Sequence, residues 1–354
     1  MEIYIKGIGN ISPQKTFDND NFLDDIVEYK EDYLKCIEPD YKKFIKPMQL
    51  RRMSKIIKMG IYAAQTSLAN ANIENPDAII TGTGLGCIDD TEKFLSSMII
   101  NKEAFLPPTP FIQSTHNTIS AQIALMLKCH NYNYAYVHRG ISFESALLDS
   151  MMLLNENNAN NVLVGGADEI TQNSFLITKR LGLWKTPSIN NLKLLDYKTR
   201  GSIAGEGASF FTLSKENNES NYAKISSVST FYKPENNQAI EDNISKFLAE
   251  AKINANALDL IIFGLNGNTK FDEVYYVLKK SYFNNNDFAY YKHLCGEYHT
   301  STAFALWLGA NIIKKQYVPD VIKLGKQTNK KFRNILIYNH YKNINHSLIL
   351  ISEC

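Results

Sequence analysis

The chain is poor in several features, and each shortage removes a class of function. Net charge is nearly absent: 38 Lys and Arg stand against 36 Asp and Glu, a formal +2. A dedicated nucleic-acid binder or polybasic membrane binder needs a basic footprint, and there is none. Cysteine is sparse, with five residues (Cys36, Cys87, Cys129, Cys295 and Cys354), an odd number without a CxxC spacing. That excludes a zinc or disulfide framework and fits a reducing compartment. No window approaches the roughly 18 uninterrupted apolar residues of a membrane span. The opening MEIYIKGIGNISP lacks the basic and long apolar regions of a signal peptide and reads as a strand entering a turn. The expected address is the cytoplasm, with no nucleic-acid partner, membrane span, metal or cofactor.

What is present is enough for a dry core: 44% hydrophobic and 11% aromatic residues over 354 positions exclude a disordered chain. Asparagine occurs 37 times and lysine supplies 32 of the 38 basic residues, a joint excess that reflects an AT-rich genome. Runs such as Asn157-Asn158 and Asn284-Asn285-Asn286 then fill turn-permissive loop positions.

Short β-branched runs precede glycine or polar turns at IYIKGIG, Ala78-Ile79-Ile80, YAYVHRG, Val162-Leu163-Val164 and Leu260-Ile261-Ile262-Phe263. Helical spacing marks SKIIKMGIYAAQTSLANA, TISAQIALMLKC, SFESALLDSMMLLNEN, IEDNISKFLAEAKI, FDEVYYVLKKSYF and TSTAFALWLGANIIKK. Residues 205–232 predict two consecutive strands, and ILIYNHYKNINHSLILIS pairs two apolar runs across a polar turn. Alternating strands and helices imply βαβ units and an α/β class with a largely parallel sheet. The two halves follow a similar order, with a seam expected near residues 210–235.

Two glycine-rich segments stand out. In LLDYKTRGSIAGEGASFFTLSKE (194–216), Gly201, Gly205 and Gly207 surround Glu206; on residues alone this is a tight turn with one buried or capping carboxylate. TGTGLGCIDDTEKF (81–94) is a strand-to-helix connection without a P-loop lysine or GxGxxG spacing, and Asp89-Asp90 would repel phosphate. Its glycines read as structural.

Taken in order with Arg52-Met53-Ser54, PPTPFIQSTHNTISAQIAL, VLVGGADE and KHLCGEYHTSTAFAL, these segments resemble the β-ketoacyl synthases, thiolase-fold condensing enzymes of fatty-acid and polyketide assembly. The likeness runs through almost the whole chain. It implies a duplicated thiolase-like five-layer αβαβα fold, with halves at 1–215 and 216–354 forming one continuous unit.

In that family a cysteine at a buried helix start attacks the acyl thioester, and two histidines stabilise the oxyanion and assist decarboxylation. The resemblance carries those three positions onto Gly140, Asn266 and Glu297, so none is intact. Retained family positions are Lys292, Asp272 and Glu206. The usual glycine-rich gating loop is replaced by Asn339-His340-Tyr341-Lys342-Asn343-Ile344-Asn345, shortened and without glycine. The resemblance therefore implies a non-catalytic chain-length-factor-like subunit, similar to those of aryl-polyene and flexirubin clusters. Its implied partners are a catalytic ketosynthase, in a heterodimer, and an acyl carrier protein; alone, the chain is expected to be poorly soluble or homodimeric. Phe111, Gln113, His116, His138, Ser142 and Phe143 are candidates for the shared tunnel or interface, with Phe105 to Asn117 and YAYVHRG forming the contact. His299 is a further possible cavity-lining group. The alternative is an active acyltransferase using Ser142 with His138, or Cys295 with Glu297. A third reading is a scaffold that only holds carrier protein.

Overall fold

A computed structural model describes residues 2–18, 22–328 and 331–354. Among these residues ten strands form one sheet: β1 (Ile3–Ile11), β2 (Ala78–Gly82), β3 (Tyr132–Tyr136), β4 (Asn161–Asp168), β5 (Gly207–Ser214), β6 (Ala223–Tyr232), β7 (Leu260–Phe263), β8 (Asp287–Tyr290), β9 (Asn334–Tyr341) and β10 (Asn345–Ser352). Their order is β3-β2-β4-β5-β1-β6-β10-β9-β7-β8. Read inward from its own edge, the second half runs β8-β7-β9-β10-β6, which is the order of the first half shifted by five strands.

The pairing senses repeat as well. β2 is parallel to β3 and β4, while β4–β5 and β5–β1 are antiparallel. β7 is parallel to β8 and β9, while β9–β10 and β10–β6 are antiparallel. The halves join where Ile3–Ile5 of β1 pair with Ala223–Ile225 of β6.

The parallel strands are continuous apolar runs because both of their faces are covered. Ile80, Val164, Ile262 and Ile337 point into a central core with Phe143, Leu147, Ala303 and Trp307. Their neighbours Ile79 and Leu163 point outward to the helices Lys55–Ala71 and Thr118–Leu127. In the second half Ile261 and Leu336 face the helices Asn237–Glu250 and Thr269–Ser281. The period-2 alternation of strand side chains thus sorts one apolar run between two layers. The central layer is the helices Ser142–Asn155 and Thr302–Lys315, each touching strands of both halves. The result is the expected α/β, five-layer αβαβα thiolase-like arrangement.

Glycine sets the closest approach in this packing. A Cβ on Gly7 would lie 2.2 Å from the Ser67 carbonyl oxygen, and one on Gly9 would lie 2.1 Å from that of Ala63. The helix Lys55–Ala71 can rest on β1 only because those two positions carry no side chain. β8 was not announced by an apolar run: it follows the asparagine loop 284–286 and opens on the buried Asp287. The strand read at YAYVHRG lies two residues earlier, and His138 to Gly140 belong to the turn that follows.

β9 and β10 carry two buried histidines. His346 Nδ1 meets the Tyr338 hydroxyl at 2.9 Å, and its ring stacks on Phe231. His340 Nε2 meets the Phe271 carbonyl at 3.0 Å and stacks on Tyr275. Burial holds His346 down at about 4 and His340 well below the usual 6.5. The unfolded chain therefore takes up a proton at position 346 in a range where the folded chain does not. The stability of this neutral ring is present above about pH 6.5 and is lost as pH falls towards about 4. In thermal melts His346→Gln should have the lower Tm near neutrality yet lose less than the parent between about pH 7 and about pH 5. Equal acid losses in the two proteins would refute the assignment.

Candidate functional site

A cleft opens where the carboxyl ends of β2, β4, β7 and β9 converge from the two halves. It has two lobes of about 280 and 230 Å³. Leu181, Leu183, Trp184, Glu297, Tyr341 and Lys342 line both. Arg200, Asn266, Lys270 and Phe271 line the first lobe only, and Arg139, Asp168, Glu169 and His299 the second.

Four of the sequence-selected residues meet at the floor. Lys292 is fully buried, and its Nζ lies 2.8 and 3.0 Å from the two Glu297 carboxylate oxygens. Asn266 donates its Nδ2 to Glu297 Oε2 at 2.6 Å. Asp272 accepts the backbone N–H groups of Asn266 (3.0 Å) and Gly267 (2.7 Å), which fixes the loop after β7. Burial pushes Asp272 up to about 7, against those two donors and the Lys292 ammonium, which favour its anion. Glu297 thus presents a carboxylate to the cleft, with its charge committed to Lys292.

The GSIAGEG segment explains how Glu297 arrives there. Gly205 N–H donates to the Glu297 carbonyl, and Glu297 N–H to the Ile203 carbonyl. A Cβ on Gly205 would sit 2.0 Å from the Cys295 carbonyl oxygen, so only glycine lets the two strands approach. Glu206 turns the other way, fully buried, accepting Cys36 N–H (2.8 Å), Ile170 N–H (3.3 Å) and the Lys55 ammonium. It anchors the first half and does not line either lobe.

Asp168, at the end of β4, was not singled out in the sequence. Its carboxylate accepts Thr83 Oγ1 (3.1 Å) and Gly84 N–H (2.8 Å) from the loop after β2. From the second half it accepts Thr300 N–H (2.9 Å) and Thr300 Oγ1 (2.8 Å). Lys185 was also missed: this buried ammonium donates to the carbonyls of Tyr197, Thr199 and Gly267 and to Thr199 Oγ1, tying residues 197–199 to the loop after β7. Burial lowers its pKa.

The remaining candidates stand apart from this floor. Phe143 lines neither lobe: it is fully buried in the central core, 5.8 Å from the Phe211 ring. The helix begins at Ser142, and that phase turns position 143 onto the sheet. Gln113 is buried and donates to the Arg52 carbonyl at 2.8 Å, tethering its helix rather than lining a cavity. His116 is exposed beside Gly86, outside both lobes. Phe111 is exposed, with its ring tilted 5.1 Å from that of Phe94. The Ser142–His138 pair is not formed. Ser142 Oγ accepts the backbone N–H of His138 and donates to the Arg139 carbonyl, whereas the His138 ring meets Ser145 at 3.2 Å. Cys295 is buried with its thiol pKa pushed up by burial, and the Glu297 carboxylate points to Lys292 instead. His299 does line the second lobe.

Comparison with known proteins places this geometry. Residues 31–181 match the family model for the β-ketoacyl synthase N-terminal domain. The ishigamide ketosynthase/chain length factor superposes with a TM-score of 0.82 at 15% identity, covering 100% of this chain and 99% of its own. A β-ketoacyl synthase from Burkholderia phymatum STM815 gives 0.81 at 14% identity, with 100% of both chains covered. A chain of the AntDE:AntF assembly, a type II PKS acyl-carrier protein in complex with its ketosynthase bound to the hexaketide, gives 0.75 at 14% identity, covering 100% and 99%. No curated protein matches by sequence. The β-ketoacyl synthase resemblance therefore holds, and at these identities the whole-chain likeness establishes the fold. Among the described residues no helix is long and apolar enough to cross a membrane.

Because Asp168 holds four donors from both halves, Asp168→Ala should cost on the order of 3–5 kcal/mol in urea unfolding. A loss below about 1 kcal/mol, the scale of one ordinary hydrogen bond, would show that the halves are held elsewhere.

Proposed function

We propose that the chain is a ketosynthase-like subunit of the chain-length-factor type, without condensing chemistry of its own. In this reading it pairs with a catalytic β-ketoacyl-ACP synthase, shapes the acyl tunnel, and serves a type II polyketide, aryl-polyene or flexirubin-type pathway. The observation that carries it is the floor of the cleft. Acyl transfer needs a thiolate or an equivalent nucleophile, and donors aimed at the developing oxyanion. Gly140 supplies no nucleophile. Glu297 offers acceptor oxygens where a donor is needed, and its negative charge opposes an oxyanion. The substitutes weighed in the sequence are engaged elsewhere, Ser142 by backbone groups and Cys295 by burial.

A partner is supported by the first half's free edge. β3 ends the sheet with Tyr132 and Tyr134 exposed, and an uncovered strand edge invites pairing. Phe105 (98% exposed), Phe111, Ile112 and Leu125 (72% exposed) add large apolar side chains from the neighbouring segment. A carrier protein is supported by Arg139, Arg200, Lys270 and Lys342, which outnumber Asp168, Glu169 and Glu297 in the cleft's lining and suit an acidic surface. The fold is shared with a ketosynthase/chain length factor and with a chain from a carrier-protein–ketosynthase assembly.

Intact-mass measurement after incubation with acyl carrier protein thioesters tests the chemistry. We expect no acyl adduct on this chain, with condensation appearing only when a catalytic ketosynthase is added; a stable adduct would overturn the proposal. The edge is tested separately. Tyr134→Lys should weaken association with the ketosynthase partner about tenfold or more, and the parent alone should be homodimeric or poorly soluble. A well-behaved monomer at micromolar concentration would argue against an obligate partner.

A further inference from the structure

Gly140 is buried although it lies in a turn beside an open cleft, and the residue covering it is Tyr341. A Cβ on Gly140 would fall 2.3 Å from the Tyr341 Cβ, 2.7 Å from its Cγ and 3.2 Å from its Cδ1. Carbon atoms in contact rest at about 3.5–4.0 Å, so no side chain fits at position 140 while Tyr341 stays where it is.

The contact is one half of a larger arrangement. A Cβ on Gly84 would lie 2.2 Å from Cγ of His299. The His299 and Tyr341 rings face each other with centroids 5.1 Å apart. Two rings from the second half therefore rest on two glycines of the first.

The backbone holds Tyr341 in place. It is the last residue of β9, and its carbonyl accepts Ile344 N–H at 3.0 Å. That bond closes a turn in which Lys342 and Asn343 both adopt left-handed conformations (φ +54° and +56°). On the other side Arg139, just before Gly140, is also left-handed at φ +51°, an unfavourable geometry for a non-glycine residue unless its surroundings enforce it. Tyr341 lines both lobes of the cleft.

We propose that Tyr341 is a built-in plug. It fills the space into which a side chain at position 140 would project, so the missing nucleophile and the tyrosine ring form one packed unit. The inference rests on the reading that Gly140 stands at the nucleophile's place, and adds that a thiol restored at position 140 alone finds no room.

The test uses the full chain with Cys129 and Cys354, the two cysteines that are not buried, replaced by serine, so that iodoacetamide labelling reports position 140. Four variants are compared with the parent: Y341G, G140C, G140C/Y341A and G140C/Y341G. Alanine keeps the Cβ that makes the shortest contact, whereas glycine removes all three. Y341G should lower Tm when residue 140 is glycine and raise it in the G140C background, a reversal that general loosening does not produce. Labelling at position 140 should be at least about tenfold faster in G140C/Y341G than in G140C, with Y341A giving no comparable rescue. If G140C fails to fold, recovery of a cooperative melt in G140C/Y341G supports the plug and its absence overturns it. G140C that melts and labels like G140C/Y341G also overturns it. No carrier protein or ketosynthase enters this measurement. Its failure therefore counts against the plug alone, while an acyl adduct on the unmodified chain counts against the non-catalytic reading.

Discussion

One buried carboxylate joins the two halves of this molecule at the cleft. Asp168 ends β4, and its oxygens collect two donors from the loop after β2 and two from the threonine that leads into the helix Thr302–Lys315. A carboxylate taken out of water is tolerated only when its lone pairs are satisfied, so the four donors and the anion fix one another's positions. The consequences spread outward. Gly84 is held by its own N–H, and His299 immediately precedes the held Thr300, so the ring of His299 and its glycine seat are set in register by the same group. Tyr341 then packs against His299 and Gly140. The shape of the cleft follows from one hydrogen-bonded carboxylate.

Around this frame the polar side chains of the cleft floor are closed upon each other. Lys292 spends its charge on Glu297, Asn266 adds a donor to the same carboxylate, and Asp272 is engaged by the backbone of the loop that carries Asn266. The network fixes the loop after β7 and the segment that carries Glu297 against each other, and the rings of His299 and Tyr341 pack above it.

The fold was legible in the sequence to the extent that it rests on local patterns. Apolar runs located β2, β4, β7 and the β9–β10 hairpin, because strands covered on both faces need no polar alternation. β8 escaped because an asparagine run and a buried aspartate introduce it. The site was legible only through the family resemblance that the ordered glycine and acid segments carry, which implied Asn266, Asp272, Lys292 and Glu297. What failed there was orientation. Phe143 and Gln113 lie in the right segments, but the phase of their helices turns them inward, and that phase is set by Ser142 and Arg52 contacts that sequence spacing does not reveal. Asp168, Lys185 and Tyr341 were invisible for a different reason. Each acts in part across the boundary between the halves: Asp168 on Thr300, Lys185 on Gly267 and Tyr341 on Gly140.

The glycines show most clearly how a local signal acquires meaning only from tertiary structure. The glycines of TGTGLG and GSIAGEG read as structural turns, and at Gly84 and Gly205, as at Gly140 outside both segments, the missing side chain makes room for another part of the same chain: a histidine ring, a backbone carbonyl and a tyrosine ring respectively. Such positions are constrained by what fills them. A substitution at Gly84 or Gly140 meets a ring on the opposite half, and at Gly205 it meets backbone that cannot rotate away. The glycine pattern and the residues at His299, Tyr341 and Cys295–Gly296 therefore have to be understood as pairs. A cleft built from such pairs can change shape at Gly84 or Gly140 only by changing the residue of the second half that packs on it.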